Sequence, residues 1–211
     1  MTNTVSDPAI TISTAGQRGP AEHERRHQIL QAALEHFRHY GYKKTTVGDL
    51  AKAIGVSSAY IYKFFDSKQA IGETICTMGL AEIISELERI ISETESPVEC
   101  MRLIYKGTAL KSNQVFLEHR KIHDIIAASF EENWNSHNHY GKAFLDIIRK
   151  VVLKGRETGE FERKSPLEEV CHAIRLTMEP FYHPLLLEQD RVRSEQDAIA
   201  VANLVLRSLA P

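Results

Sequence analysis

Thr45-Thr46-Val47-Gly48-Asp49-Leu50-Ala51-Lys52-Ala53-Ile54-Gly55-Val56-Ser57-Ser58-Ala59-Tyr60-Ile61-Tyr62-Lys63-Phe64-Phe65-Asp66-Ser67-Lys68 is the stretch on which the fold turns. It reads as two short helices, each of about two turns, joined by a tight turn and followed by the start of a third. Thr46 caps the first helix, and Asp49, three residues on, completes a capping box. Val47, Leu50, Ala51 and Ile54 then share one face at helical spacing. Gly55 supplies the turn, because glycine takes a positive φ without steric cost. Ser57 or Ser58 caps the second helix, and Ile61, Phe64 and Phe65 turn inward. Asp66 is placed to cap the third helix, with Gln69 at the capping-box position. Helices meeting through such a turn define the DNA-reading helix-turn-helix. Spacing alone leaves an ordinary helical hairpin in an all-α core as the alternative.

The outer side of the second helix offers Ser58, Ala59, Tyr60, Tyr62 and Lys63, small, aromatic and basic groups suited to base edges, thymine methyls and phosphates. Lys43, Lys44 and Thr45, at the entry to the first helix, suit phosphate contacts at a helix N-terminus. Lys68 suits the same task at the start of the third. Candidate DNA contacts are therefore Lys44, Thr45, Thr46, Ser57, Ser58, Ala59, Tyr60, Tyr62, Lys63 and Lys68.

This stretch, with the helix before it, resembles the N-terminal domain of TetR-family transcriptional regulators. The resemblance is carried by Ile29, Ala32, Ala33, Phe37, Gly41, Tyr42, Thr45, Thr46, Val47, Leu50, Ala51, Gly55, Val56, Ser57, Ala59, Tyr62, Phe65, Ser67 and Lys68. Ile54 stands where a small alanine is usual, and Tyr60 where threonine or serine is common. The later part of the chain resembles the family in layout only. The resemblance implies an all-α fold of about nine helices. It comprises a three-helix DNA-binding domain with the helix-turn-helix and a C-terminal helical domain for ligand binding and dimerisation. The expected division is 1–20, a disordered arm; 21–68, the DNA-binding domain; and 69–211, the ligand-binding and dimerisation domain.

Charge distribution points to the same end. The 211-residue chain carries a formal net charge of −2, too little positive charge to coat nucleic acid. From Arg18 to Lys68, however, nine basic residues oppose five acidic ones, so this segment is +4 and the remainder −6. Arg18, in an arm rich in small and polar residues, is placed to reach a minor groove or a phosphate, or simply to lie in a floppy tail. The 43% share of hydrophobic residues is that of a globular protein. No apolar run approaches the ~20 residues of a membrane-spanning helix, and the first twenty residues do not read as a secretory signal. Cys76, Cys100 and Cys171 are few, odd in number and unclustered, which predicts buried thiols in a reducing cytoplasm.

Beyond the reading unit, the first helix is expected over 21–40, with Ile29, Ala32, Ala33 and Phe37 inward. A long proline-free helix is expected over 67–92. It starts beside the DNA face and ends, through Ile83, Ile84, Leu87, Ile90 and Ile91, in the second domain, as a displacement carrier must. Further helices are expected over 97–110, 115–133 and 142–158, with a kink or short loop near 111–113. The segment 134–140 reads as a loop or an irregular helix start. Gly155 to Phe161 closes the 142–158 helix in a corner that also resembles the family. Ser165 is placed to cap the next helix, with Pro166 first and Glu168 at the capping-box position, ending near residue 179. The last helix, 194–209, is apolar round much of its circumference, so it is buried in its own core or against a partner. The resemblance implies the partner: a homodimer through a four-helix bundle, with Ile174, Met178, Ala198, Val201, Ala202 and Val205 as the candidate residues.

An apolar pocket with a few polar groups is the general form of a small-molecule site. Candidate walls are Met101, Tyr105, Phe116, His123, Phe130, Trp134, Phe144, Met178 and Tyr182. His119 and His123 have the spacing of a two-histidine metal pair, but no companion carboxylate or cysteine stands at a recognisable spacing. No metal or cofactor is expected, and no catalytic triad or phosphate-cradling glycine loop can be read. The expectation is a cytoplasmic regulator whose partners are an operator duplex, a second copy of itself and an unidentified small effector. The sequence alternatives are a helical enzyme or metal-binding protein with a similar hairpin, and a regulator without ligand control.

Overall fold

The computed structural model describes residues 19–118, 120–183, 186–187 and 195–211, without the side chains of 115–123. The arm containing Arg18, the side chains of Phe116, His119 and His123, and the expected start of the last helix at Ser194 lie outside the described residues. Nine α-helices and no strand occur among the described residues: α1 Pro20–Tyr40, α2 Val47–Ala53, α3 Ser58–Ile61, α4 Lys68–Glu93, α5 Pro97–Glu118, α6 Arg120–Glu131, α7 Asn135–Thr158, α8 Leu167–Met178 and α9 Glu195–Ser208. A 3-10 turn, Glu179–Phe181, follows α8.

Local chemistry sets the reading unit. Gly41, at φ +85°, ends α1 and returns its N–H to the Phe37 carbonyl. Both halves of the Thr46–Asp49 capping box are formed. Gly55 turns the chain at φ +69°. Ser57, rather than Ser58, caps α3 by accepting from the Tyr60 N–H at 3.2 Å. α3 is shorter than expected. Its single α-turn tightens at once into i→i+3 bonds, Lys63 N–H to the Tyr60 carbonyl and Phe64 N–H to the Ile61 carbonyl. Ser67, not Asp66, caps α4, because its hydroxyl is the one that reaches the N–H three residues on, at Ala70 (3.0 Å).

Two cores result. The first joins Ile29, Ala33 and Phe37 of α1, Leu50 of α2, Ile61 of α3 and Ile71 of α4 with Ile125 and Ala128 of α6 and Trp134. The second gathers Leu87, Met101, Ile104, Phe144, Ile148, Ile174 and Ala202 from α4, α5, α7, α8 and α9. The 26 residues of α4, about 39 Å at 1.5 Å per residue, span both, and Leu80 packs against each.

Three expectations are corrected. α5 runs unbroken through 111–113 to Glu118, because Lys, Ser and Asn weaken a helix without stopping it. The 134–140 segment is regular helix from Asn135 onward. Before it, Asn133 at φ +52° and the Trp134 N–H bond to the Ser129 carbonyl (2.9 Å) close α6 in a Schellman-type turn. Pro166, not Ser165, occupies the N-cap of α8, with no side-chain cap. Ser165 is instead tied into the corner, its N–H on Glu162 and its carbonyl on Arg156.

That corner depends on Gly155. A Cβ there would lie 2.1 Å from Cδ2 of the buried Phe161 ring. Gly155→Ala is expected to destabilise the chain by about 1–3 kcal/mol, the cost of overpacking a filled core, read as a lower urea midpoint at unchanged slope. An unchanged midpoint would show that the corner repacks freely.

Candidate nucleic-acid interface

The start of α2 and the outer side of α3 form one candidate surface. Lys44, Thr46, Ser57, Ala59, Tyr62 and Lys63 are exposed, whereas Ser58, Tyr60 and Lys68 are half-buried. Tyr62 is 51% exposed, a large amount for an aromatic ring with no role in its own core. Tyr60 instead leans on Phe64, ring centroids 5.2 Å apart, and the Lys63 ammonium lies 6.0 Å from the Tyr60 ring. The Thr46 hydroxyl donates to Asp49 at 2.6 Å, so its first task is the cap.

Three basic or polar expectations change on this surface. Thr45 is only 1% exposed; its hydroxyl donates to the Gly41 carbonyl at 2.8 Å and lies 3.2 Å from His36 Nδ1. It braces the α1–α2 turn from inside and cannot reach a phosphate. Lys43 bonds Glu131 of α6 at 3.0 Å, and that carboxylate raises the lysine pKa. Lys68 donates to the Tyr42 carbonyl at 3.1 Å and sits 4.3 Å over the Tyr42 ring, leaving two of its three protons for another acceptor. A buttress absent from the expectations is Arg26. Its guanidinium donates to the Phe64 carbonyl at 2.6 Å and stacks 4.0 Å from the Phe65 ring. Arg26 thereby holds the end of α3 against α1; no motif in the sequence distinguishes it from its neighbour Arg25.

The candidate dimer residues are corrected. Ile174, Met178, Ala198, Ala202 and Val205 are buried in the chain's own second core, and Val201 is half-buried against it. The apolar circumference of α9 is thus used mostly within the chain. Leu204, 65% exposed, and Leu176 on α8 are what remain outward.

The candidate pocket walls divide. Met101, Tyr105, Phe144 and Met178 are fully buried second-core residues. The Tyr105 hydroxyl meets Thr177 Oγ1 and the Ile174 carbonyl, and burial pushes it up to about 12. Trp134 belongs to the other core, edge-on to Tyr42 at 5.4 Å, so its place among the walls is corrected. Phe130 of α6 and Tyr182 are half-buried, and Phe130 stands beside two histidines that were not among the expected walls. The Phe130 ring centroid lies 3.9 Å from that of His137 and 4.7 Å from that of His183. None of the expected walls lines a cavity of about 360 Å³ that opens between α4 and α7 over Ile84, Glu88, Ala143, Ile147 and Lys150.

α6 connects the two regions. Ile125 and Ala128 lie in the first core, Glu131 bonds Lys43, and Phe130 reaches His137 and His183. The Asp124 carboxylate lies so close to Gly41 that a Cβ there would meet it at 2.7 Å. The three thiols are free and buried, and burial pushes Cys76 up to about 12, Cys100 to about 11 and Cys171 in the same direction. Such thiols are poor nucleophiles. Among the described residues no three His, Cys, Asp or Glu side chains gather as a metal set, and no helix is long and apolar enough to cross a membrane.

A capped helix-turn-helix buttressed by a preceding helix and carried on an all-α body defines a DNA-binding regulator. The family described as bacterial regulatory proteins, tetR family, matches residues 29–74. The repressor KstR2 of Rhodococcus jostii (strain RHA1) is 32% identical over 81% of this chain and 81% of its own length. The uncharacterized regulator YhgD of Bacillus subtilis (strain 168) is 30% identical, and the match spans about half of either chain (52% and 53%). Among solved structures, the Thermus thermophilus repressor FadR in complex with lauroyl-CoA superposes with a TM-score of 0.60 at 24% identity, over 87% of this chain and 92% of its own. The chain belongs to the TetR family of transcriptional regulators.

Two outcomes follow from the geometry. Thr45→Val leaves the Gly41 carbonyl without its partner and is expected to cost about 1–3 kcal/mol of stability, seen as a lower denaturant midpoint; Lys44→Ala, on an exposed side chain, should leave the midpoint in place. Burial holds the pKa of His137 and His183 below the ordinary 6.5. Their contribution to stability is therefore full above about pH 6.5 and is lost as pH falls through the lower folded values. Unfolding midpoints should drop between pH 7 and 5, and the drop should shrink in a His137→Phe, His183→Phe variant.

Proposed function

We propose that the chain is a cytoplasmic homodimeric repressor that reads a palindromic operator and is released by an apolar small-molecule effector. The observation that carries the DNA reading is the exposed Ala59–Tyr62–Lys63 edge of α3 beside Lys44 and the N-terminus of α2, with Thr46, Ser57 and Arg26 fixing its backbone. Tyr62 and Ala59 would meet base edges and thymine methyls, and Lys44, Lys63 and the spare protons of Lys68 the phosphates. Two such edges about 34–36 Å apart meet successive major grooves. The outward Leu204 and Leu176 supply apolar surface for pairing two copies. Residues 21–68 form the DNA-binding domain in this reading, and 69–211 the effector and dimer domain, with α6 and Trp134 reaching back into the first.

For the effector, the lauroyl-CoA in the Thermus thermophilus FadR structure supports an acyl thioester. α4 and α6 would carry its effect, since both pack in the DNA-binding core and extend beyond it. Effector and operator must then weaken each other by the same factor.

Selection of a randomised duplex library by the full chain tests this. One palindrome should be enriched, with a salt slope that falls by about one unit for Lys63→Ala, and Tyr62→Ala should lose the enrichment while keeping the wild-type unfolding midpoint. Weak, sequence-blind binding, unchanged in both variants, would sink the operator reading.

A further inference from the structure

One corner of the second domain carries polar groups that the fold leaves unused. His137, on the first turn of α7, and His183, just beyond the 3-10 turn, both lie against the Phe130 ring. Nδ1 of each is buried without a hydrogen-bond partner among the described residues. A buried polar atom in this state costs about 1–3 kcal/mol and commonly marks a place filled by a ligand or water. Nearby, Arg175 donates to Glu179 at 3.0 Å and to the Tyr182 hydroxyl at 3.3 Å. The Tyr182 oxygen accepts there, so its own proton is available. Tyr182 also packs edge-on to Phe144 and Tyr140.

The chemistry of this corner selects among ligand groups. The charge of Arg175 is answered by Glu179, and burial lowers the pKa of both histidines, which disfavours their charged form. Among the described residues no net positive charge is left for a carboxylate. With the ring proton assigned to Nδ1 of each imidazole, the tautomer that makes the unpartnered atom a donor, the available groups are donors, the Tyr182 hydroxyl among them. An uncharged oxygen that only accepts, on an otherwise apolar molecule, satisfies them. We propose that the Phe130–His137–His183 corner binds the carbonyl oxygen of the effector, with His137 and His183 as the hydrogen-bonding residues and the rings of Phe130 and Tyr182 against its apolar part. This rests on the effector reading above and adds the group recognised. Because Phe130 is on α6, a ligand here bears directly on the helix that packs Ile125 and Ala128 into the DNA-binding core.

The test compares lauroyl-CoA with S-dodecyl-CoA, the thioether that lacks the carbonyl, by calorimetry on the full chain. Operator binding by the same samples reports folding. Wild type should bind lauroyl-CoA at least tenfold more tightly. In His137→Phe, His183→Phe the two affinities should converge on the thioether value, with operator binding retained. His137→Asn, which keeps a donor, should restore part of the preference when combined with wild-type His183. Equal wild-type affinities, or a preference that survives in the double variant, overturn the proposal; the wild-type comparison decides even if the variant fails to fold. Lack of lauroyl-CoA binding with operator binding intact removes the acyl-thioester reading alone. The corner is then probed with androst-4-ene-3,17-dione against oxygen-free androstane. A tenfold preference lost in the double variant sustains it, and failure there overturns it.

Discussion

Trp134 is the wedge on which the arrangement of the two regions depends. It is 1% exposed, and its ring lies edge-on to Tyr42, at the end of the α1 turn, and against Gly72 in the second turn of α4. A Cβ at Gly72 would meet Trp134 Cη2 at 2.9 Å and Tyr42 Cε2 at 3.0 Å, so the absence of a side chain there lets α4 come this close. The corner between α6 and α7 is thereby buried in the core of the DNA-binding unit. Lys68 also closes over Tyr42. One aromatic pair thus meets the α1 turn, α4 and the α6–α7 corner together.

Rigidity in the reading unit is built in the same way, from contacts that leave its outer side free. Thr45 is turned inward onto Gly41, Thr46 and Ser57 are engaged in caps, and Arg26 clamps the end of α3. What stays exposed is the side chains of Ala59, Tyr62 and Lys63. An interface whose backbone is already ordered pays less conformational entropy on docking. The short α3 fits this: its single α-turn is held by the Ser57 cap and, just beyond its end, by Arg26 of α1 rather than by its own length, which would be marginal alone.

Much of the local chemistry was legible in the sequence: the capping box, the Gly55 turn, the inward stripe of α1 and the long α4 all follow from spacing. The caps of α4 and α8 were each misplaced by one residue, because Ser67 beside Asp66 is as good a cap and Ser165 is tied into the corner instead. The larger errors came where the deciding partner is distant. Thr45 has the composition of a phosphate contact, and only the return of the chain toward Gly41 makes it a brace. Trp134 looks like any pocket aromatic until α6 folds back onto α1. Ala198, Ala202 and Val205 share a helix so apolar that sequence could not say which side meets its own core. His137 and His183 are 46 residues apart in number, and nothing local reveals that Phe130 stands beside both. Phe116 and His123, among the expected walls, lie where side chains are not described.

The balance of forces at the α6 junction limits how a signal can cross it. The Lys43–Glu131 pair is solvent-exposed on both sides, and such pairs contribute little. Burial of an aromatic the size of Trp134 stabilises by about 3–5 kcal/mol relative to alanine, whereas a typical coupling between two sites is about 1–3 kcal/mol. An effector of ordinary affinity therefore lacks the energy to expel the tryptophan and has little to gain by breaking the ion pair. What lies within its reach is a shift of α6 with Trp134 still seated. Phe130 and the Ile125–Ala128 face are the two surfaces of that helix that would move together. In the proposed mechanism the core contact acts as the pivot of the switch, and the corner beside His137 and His183 as its handle.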